Sequence, residues 1–183
     1  QCFSSPNVLQ GALISVLRST IGPTCTITVI FFGAYALSKK KLIGRKYISM
    51  FIIFTMYFNA GLIPEYILMS RLHISGTFWV YILKYLPSVF MMILIRTYLE
   101  NLPVELEESA YLDGANDFVI AVKVYLPLCM PIIAAVALFE CVNQWNYFQD
   151  TLLYNAEKSK YHTLQYVLIN FISNSPQSLE SAE

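Results

Sequence analysis

Two groups of residues in this 183-residue chain have the types and spacing to do chemistry. The first is Glu140, Asn143, Gln144, Trp145, Asn146, Tyr147, Gln149 and Asp150, set in an otherwise apolar segment. Planar amides and carboxylates hydrogen-bond to hydroxyl groups, and aromatic rings stack on C–H faces. Asn143, Trp145, Asn146 and Tyr147 therefore supply, on consecutive helical turns, what a polyhydroxylated ligand such as a sugar requires. A charge at mid-bilayer costs about 2.5–3.5 kcal/mol on insertion scales, so Glu140 is expected to face a cavity or a partner. The same amides also bond neighbouring helices, so the cluster has two readings: pathway lining and helix–helix packing.

The second group is Glu105-Leu-Glu-Glu-Ser-Ala-Tyr-Leu-Asp-Gly-Ala-Asn-Asp117, continuing to Val124-Tyr-Leu-Pro127. Pro103 suits the first turn of a helix, where its missing N–H costs nothing. Glu105, Glu107 and Glu108 crowd that turn, where carboxylates meet the positive end of the helix dipole. Gly114 fits a left-handed C-terminal cap, Asn116 or Asp117 offers an oxygen to start a second helix, and Pro127 breaks or bends it. The expectation is helix, glycine turn, helix. Two narrow apolar strips, Val104–Tyr111–Leu112 and Leu106–Ala110, fit a helix lodged between two bodies, or else an ordered surface loop.

Other chemistries find no support. The chain lacks a G-x-x-x-x-G-K-[ST] phosphate loop, so it is not expected to hydrolyse ATP itself. Its two histidines are isolated, and Cys2, Cys25, Cys129 and Cys141 lack metal-ligand spacing. No catalytic residue, metal site or bound cofactor is expected.

The elements that must position these residues are membrane spans. The chain is 56% hydrophobic and 13% charged, against about 25% charge in a soluble domain. Its mean hydropathy is +0.53. Net charge is zero, which argues against a nucleic-acid partner. Four spans are expected: about Val8–Leu37, Tyr47–Met69, Phe78–Leu99 and Pro131–Tyr154. Arg18 is expected to snorkel to the interface, and Lys84 either to snorkel outward, the preferred reading, or to line a polar path. Pro87 should bend the third span, and Thr163–Ile172 reads as an interfacial helix with a mobile tail from Ser173. Five cations within Lys39–Lys46 place that loop in the cytoplasm, so the 70–77 loop faces outward and the Glu105–Pro127 loop inward.

Glu108-Ser109-Ala110, three residues, Gly114, nine residues and Val124-Tyr125-Leu126-Pro127 resemble the EAA motif, E-A-A-x3-G-x9-I-x-L-P. That motif belongs to the permease subunits of binding-protein-dependent ABC importers. Ser109 and Val124 depart from it conservatively. Asp113-Gly114-Ala115 and Gln144-Trp145-Asn146 resemble the carbohydrate branch, similar to the maltose-type permeases.

The resemblance implies an all-α, polytopic transmembrane bundle of about six spans, of which this chain, starting without methionine, reads as a fragment lacking one span at each end. Residues 1–183 then form one transmembrane domain with a cytoplasmic EAA loop at about 100–130. The loop would be the coupling helix that docks on a cytoplasmic ATPase, with Glu108, Ser109, Ala110, Leu112, Asp113, Gly114, Asp117 and Pro127 shaping the contact. The implied activity is sugar or oligosaccharide import by alternating access in a bacterial plasma membrane. Implied partners are a second permease subunit, an ATPase dimer using ATP and Mg²⁺, and an extracytoplasmic sugar-binding protein. Glu140, Asn143, Trp145, Asn146 and Tyr147 are the candidate pathway residues. A permease of another importer branch, for amino acids, peptides or ions, and a membrane scaffold are the alternatives.

Overall fold

The computed structural model describes residues 6–58 and 60–173. All regular structure among them is helical, as the composition leads one to expect. Cys2 and the tail beyond Ser173 lie outside the described residues.

Helix α1 (Pro6–Ser38) is unbroken for 33 residues and runs through Pro23. A proline there removes the N–H that would bond the Ser19 carbonyl. The Cys141 thiol donates to that carbonyl at 3.2 Å, which offsets the loss. Among the described residues, Val8–Ser38 alone is a single helix long and apolar enough to cross a membrane.

Each of the other three expected spans is interrupted: the bend expected at Pro87 is a full break, and the fourth span divides where nothing in the sequence foretells it. The second divides into α2 (Arg45–Met56) and α3 (Leu62–Arg71). Gly61, before α3, has φ 84°, a left-handed value that stops helix propagation. The third divides into α4 (Val80–Leu83) and α5 (Val89–Glu100) around Pro87. That ring excludes the Leu83 carbonyl from the ladder and disfavours helical geometry at Leu86. The fourth divides into α9 (Met130–Asn146) and α10 (Gln149–Tyr154). Thr151 N–H bonds Phe148 O at 3.0 Å, a tightened turn, while the Tyr147 carbonyl is taken by Arg18.

Between α5 and α9 lie α6 (Glu105–Leu112), α7 (Asp117–Ile120), a π-helical turn at Ala121–Tyr125 and α8 (Leu126–Leu128). The pair 117–128 and 130–146 passes as a span only when taken together, bent by 78°. A 3₁₀ turn (Ser159–Tyr161) precedes α11 (Leu164–Ser173), which agrees with the helix expected at 163–172.

The chain forms two compact units. One joins the chain up to Pro23 with Ala60–Tyr85 and everything from Glu140 onward. Its apolar centre is Ile14, Val80, Tyr81 and Tyr154. The other comprises Thr24–Asn59 and Leu86–Phe139. Its larger core includes Ile30, Phe31, Ile95, Leu99, Ile120 and Val136. The EAA-like loop belongs to this second unit and the Gln144-Trp145-Asn146 stretch to the first.

Candidate functional site

The acidic loop has the geometry its sequence requires. At the end of α6, Ala115 N–H bonds Ala110 O and Gly114 N–H bonds Tyr111 O, both at 3.0 Å. This crossed pair is a Schellman motif, which needs a left-handed residue after the cap. Gly114 supplies it with φ 77°. A Cβ built on Gly114 would meet nothing within 4 Å, so the demand there is conformational and not steric. Ala110 and Ala115 pack against the core beneath, as the motif's apolar contact should. Asn116 is extended, and its side-chain oxygen accepts from Val119 N–H at 2.9 Å, which caps α7.

Pro127 acts two turns later. Without its N–H the Lys123 carbonyl loses a helical partner, and the backbone takes five-residue spacing over Ala121–Tyr125. Tyr125 is thereby buried, and its hydroxyl donates to Glu107 at 3.0 Å.

The locked turn leaves Glu108, Ser109 and Asp113 exposed, with Leu112 89% accessible. An exposed leucine between two acids is a ready contact for another surface. Asp117 accepts from the Tyr111 hydroxyl and lies 3.9 Å from the Lys39 ammonium. The Asp117 carboxylate and then burial push the Tyr111 phenol above its ordinary range. Burial and then the Glu107 hydrogen bond do the same to Tyr125. Beside the loop is a cavity of about 870 Å³ lined by Lys39, Lys41, Glu100, Val104, Glu108 and Tyr111, among others.

One flank of this unit is tied by Glu100. Arg96 Nε donates to it at 2.8 Å and the Arg45 guanidinium also pairs with it. Arg45 further caps the Leu37 carbonyl at 2.7 Å, and Arg96 reaches Ser49 Oγ at 2.8 Å. Burial works against the charged form of Glu100. The bonds and charges of Arg96 and Arg45 outweigh it and hold the carboxyl below its ordinary value.

In the other unit the polar cluster of α9 divides by burial. Glu140 and Gln144 are buried, Trp145 is half-buried, and Asn143, Asn146 and Tyr147 are exposed. The five pathway candidates thus do not converge on one surface. Asn146 accepts from Gln165 at 3.3 Å. Gln144 is engaged in packing, accepting from Arg18 Nε at 2.6 Å.

Arg18 is the residue whose sequence reading needs most correction. It does not snorkel: its side chain is fully buried, donating to Gln144, to the Tyr147 carbonyl at 2.8 Å and to Asp150 at 2.6 Å. Its guanidinium also lies over the Tyr81 ring, 4.6 Å from the centroid. Lys84 is not interfacial either. It bridges Asp150 at 3.0 Å and Glu65 at 2.9 Å, while the Tyr85 hydroxyl completes the Asp150 shell at 2.9 Å. Two cations and two anions balance.

Comparison with known proteins agrees with the loop geometry. Residues 29–149 match the family model for the binding-protein-dependent transport system inner membrane component. The polygalacturonan/rhamnogalacturonan transport system permease protein YtcP of Bacillus subtilis is 35% identical, over 87% of this chain and 56% of its own length. Protein LplC of the same organism is 36% identical over 91% of this chain and 56% of its own. A solved bacterial ABC transporter, described as involved in import of the acidic polysaccharide alginate, superposes with a TM-score of 0.89 at 31% identity. That match covers 98% of this chain and 65% of the other. The chain therefore spans little more than half the length of these curated relatives. With 121 of its residues matched to the family model, from 29 to 149, the chain belongs to the inner-membrane components of binding-protein-dependent transport systems.

Proposed function

We propose that this chain is part of a multi-pass permease subunit that imports a sugar or oligosaccharide across a bacterial plasma membrane. The observation that carries the reading is the rigidly capped α6 with Glu108, Leu112 and Asp113 turned to solvent. An apolar side chain held out between acids on a Schellman-locked helix is suited to seat in the groove of a separate ATPase. The ATPase dimer would bind and hydrolyse ATP with Mg²⁺. Its closure would move α6, and the permease would alternate between inward- and outward-facing states. A second permease subunit and an extracytoplasmic sugar-binding protein complete the assembly.

Two observations favour a sugar over other cargoes. Two of the three relatives named above are described by polysaccharide transport. The amides Asn143 and Asn146 on α9, and Tyr147 just after it, lie exposed, where they could line a path for hydroxyl-rich ligands.

Co-purification tests the docking. The full-length subunit, produced in membranes with its candidate partner permease and ATPase, should retain the ATPase. Glu108→Lys should lose it while still inserting. Sugar-dependent stimulation of ATP hydrolysis then separates a carbohydrate importer from a permease for amino acids, peptides or ions. No retention by either protein, with every subunit present, would overturn the docking reading and favour the scaffold alternative.

A further inference from the structure

Lys39 follows directly on the C-terminus of α1 and is enclosed by the acidic loop. Its ammonium lies 2.7 Å from Glu107, in an ion pair, and 3.9 Å from Asp117. Three phenol rings surround it: Tyr35 at 4.4 Å, Tyr125 at 5.3 Å and Tyr111 at 5.8 Å from the centroids. Tyr35 and Tyr125 meet edge to face at 5.4 Å, and the Tyr35 hydroxyl donates to the Asp117 carbonyl at 3.1 Å.

The arrangement has a consistent electrostatic logic. A cation favours the negative C-terminal end of α1, and a carboxylate in the first turn favours the positive N-terminal end of α6. Lys39 and Glu107 satisfy both dipoles and each other in one contact. Ring faces add cation–π attraction, which strengthens when the ammonium is desolvated. Tyr125 reaches Glu107 only from the π turn, a distortion that recurs at functional sites in helices. By contrast, Lys40, Lys41 and Lys46 are exposed, as a topology signal requires.

We infer that Lys39 is a positioning residue: it clamps the cytoplasmic end of α1 to α6, so that a displacement of α6 is passed to the first span. This rests on the reading above that an ATPase docks on α6. Without the clamp the ATPase still docks, because Lys39 is not part of the exposed Glu108–Asp113 surface, but its movement is not relayed.

Hydrogen–deuterium exchange on the transporter purified through the full-length subunit tests this, with ATP plus vanadate as the probe. In the wild type, nucleotide trapping should alter exchange in segment 105–117 and in segment 30–46. In Lys39→Met, the change should persist at 105–117 and vanish at 30–46. Lys39→Arg, which keeps the cation, should restore the response at 30–46. A purely structural loss would not be rescued in this way. Retention of both changes in Lys39→Met overturns the inference, as does a wild-type response confined to 105–117. Should Lys39→Met fail to insert, Glu107→Gln decides, since it removes the ion pair and keeps the shape: loss of the response at 30–46 supports the clamp, and its retention overturns it. A wild-type subunit that brings down no ATPase overturns the proposed function instead, and the two failures are thereby distinguished.

Discussion

Arg18 and Asp150 meet at 2.6 Å with neither side chain reaching solvent, and the same guanidinium holds the carbonyl of Tyr147, where α9 ends. One buried cation thus joins α1 to the break between α9 and α10. Charge-assisted, multiply bonded pairs of this kind are tolerable in an apolar setting because each guanidinium nitrogen has a partner.

The members of this network should therefore differ sharply in what their loss costs. Asp150→Ala leaves Arg18 buried without its counter-ion, and breaking a buried pair costs about 3–5 kcal/mol. Lys84→Met leaves Asp150 still bonded to Arg18 and Tyr85, while Glu65, a third exposed, turns to solvent. Denaturant midpoints in mixed micelles should fall much further for Asp150→Ala than for Lys84→Met. Replacing both Arg18 and Asp150 with Met and Leu should recover most of the loss. Equal effects of the two single changes would contradict the network as described.

Gly114→Val addresses the acidic loop. A β-branched residue held left-handed costs about 1–2 kcal/mol, and nothing around Gly114 can compensate by contact. The Schellman motif should open and re-aim Leu112. Insertion and overall stability should be nearly unchanged, while transport-coupled ATP hydrolysis is lost. Normal transport by this variant would remove Gly114 from the mechanism.

The loop was legible in the sequence and the charge network was not, for a physical reason. Caps and turns are local: Gly114, Asn116 and Pro127 act on backbone within five residues, so spacing alone foretells them. Arg18, Glu65, Lys84 and Asp150 are up to 132 residues apart, and only the packed chain brings them together. Read singly, Arg18 and Lys84 are long cations near the ends of apolar segments, for which snorkelling is the ordinary expectation. The same blindness applied to Lys39, which reads as one more member of a basic loop until Tyr35, Glu107 and Tyr125 close around it. The breaks in three expected spans fall between these cases. Pro87 announces its own, whereas the one after Asn146 depends on Arg18 capturing a carbonyl from a distant helix.

Glu100 gives a pH-dependent prediction. Its carboxyl is held below the ordinary value by Arg96 and Arg45, so the folded state favours the ionised form. The resulting stabilisation is fully present above the ordinary carboxylate range and is lost as pH falls through the depressed folded value. Thermal stability of the wild type should exceed that of Glu100→Gln at neutral pH, and the two curves should converge in acid. Because Glu100 is more than a third exposed, the difference should be small and shrink further in high salt. A gap that persists in acid would assign the effect to packing.

The two faces of α9 offer the sharpest test of where a sugar would pass. Gln144 is 3% exposed and bonded to Arg18, so Gln144→Ala should lower the unfolding midpoint by leaving the guanidinium Nε unsatisfied, a loss of about 1–3 kcal/mol. Asn143 exposes its side chain, so truncating it to alanine should change stability little, whereas Tyr147→Ala also gives up an edge-to-face contact with the Tyr85 ring at 5.7 Å and should cost somewhat more. If this face lines the path, Asn143→Ala and Tyr147→Ala should raise the sugar concentration needed for half-maximal stimulation of ATP hydrolysis while ATPase retention stays at the wild-type level. Should these variants instead be stimulated like the wild type, the α9 amides serve helix packing, and the sugar contacts belong to the second permease subunit.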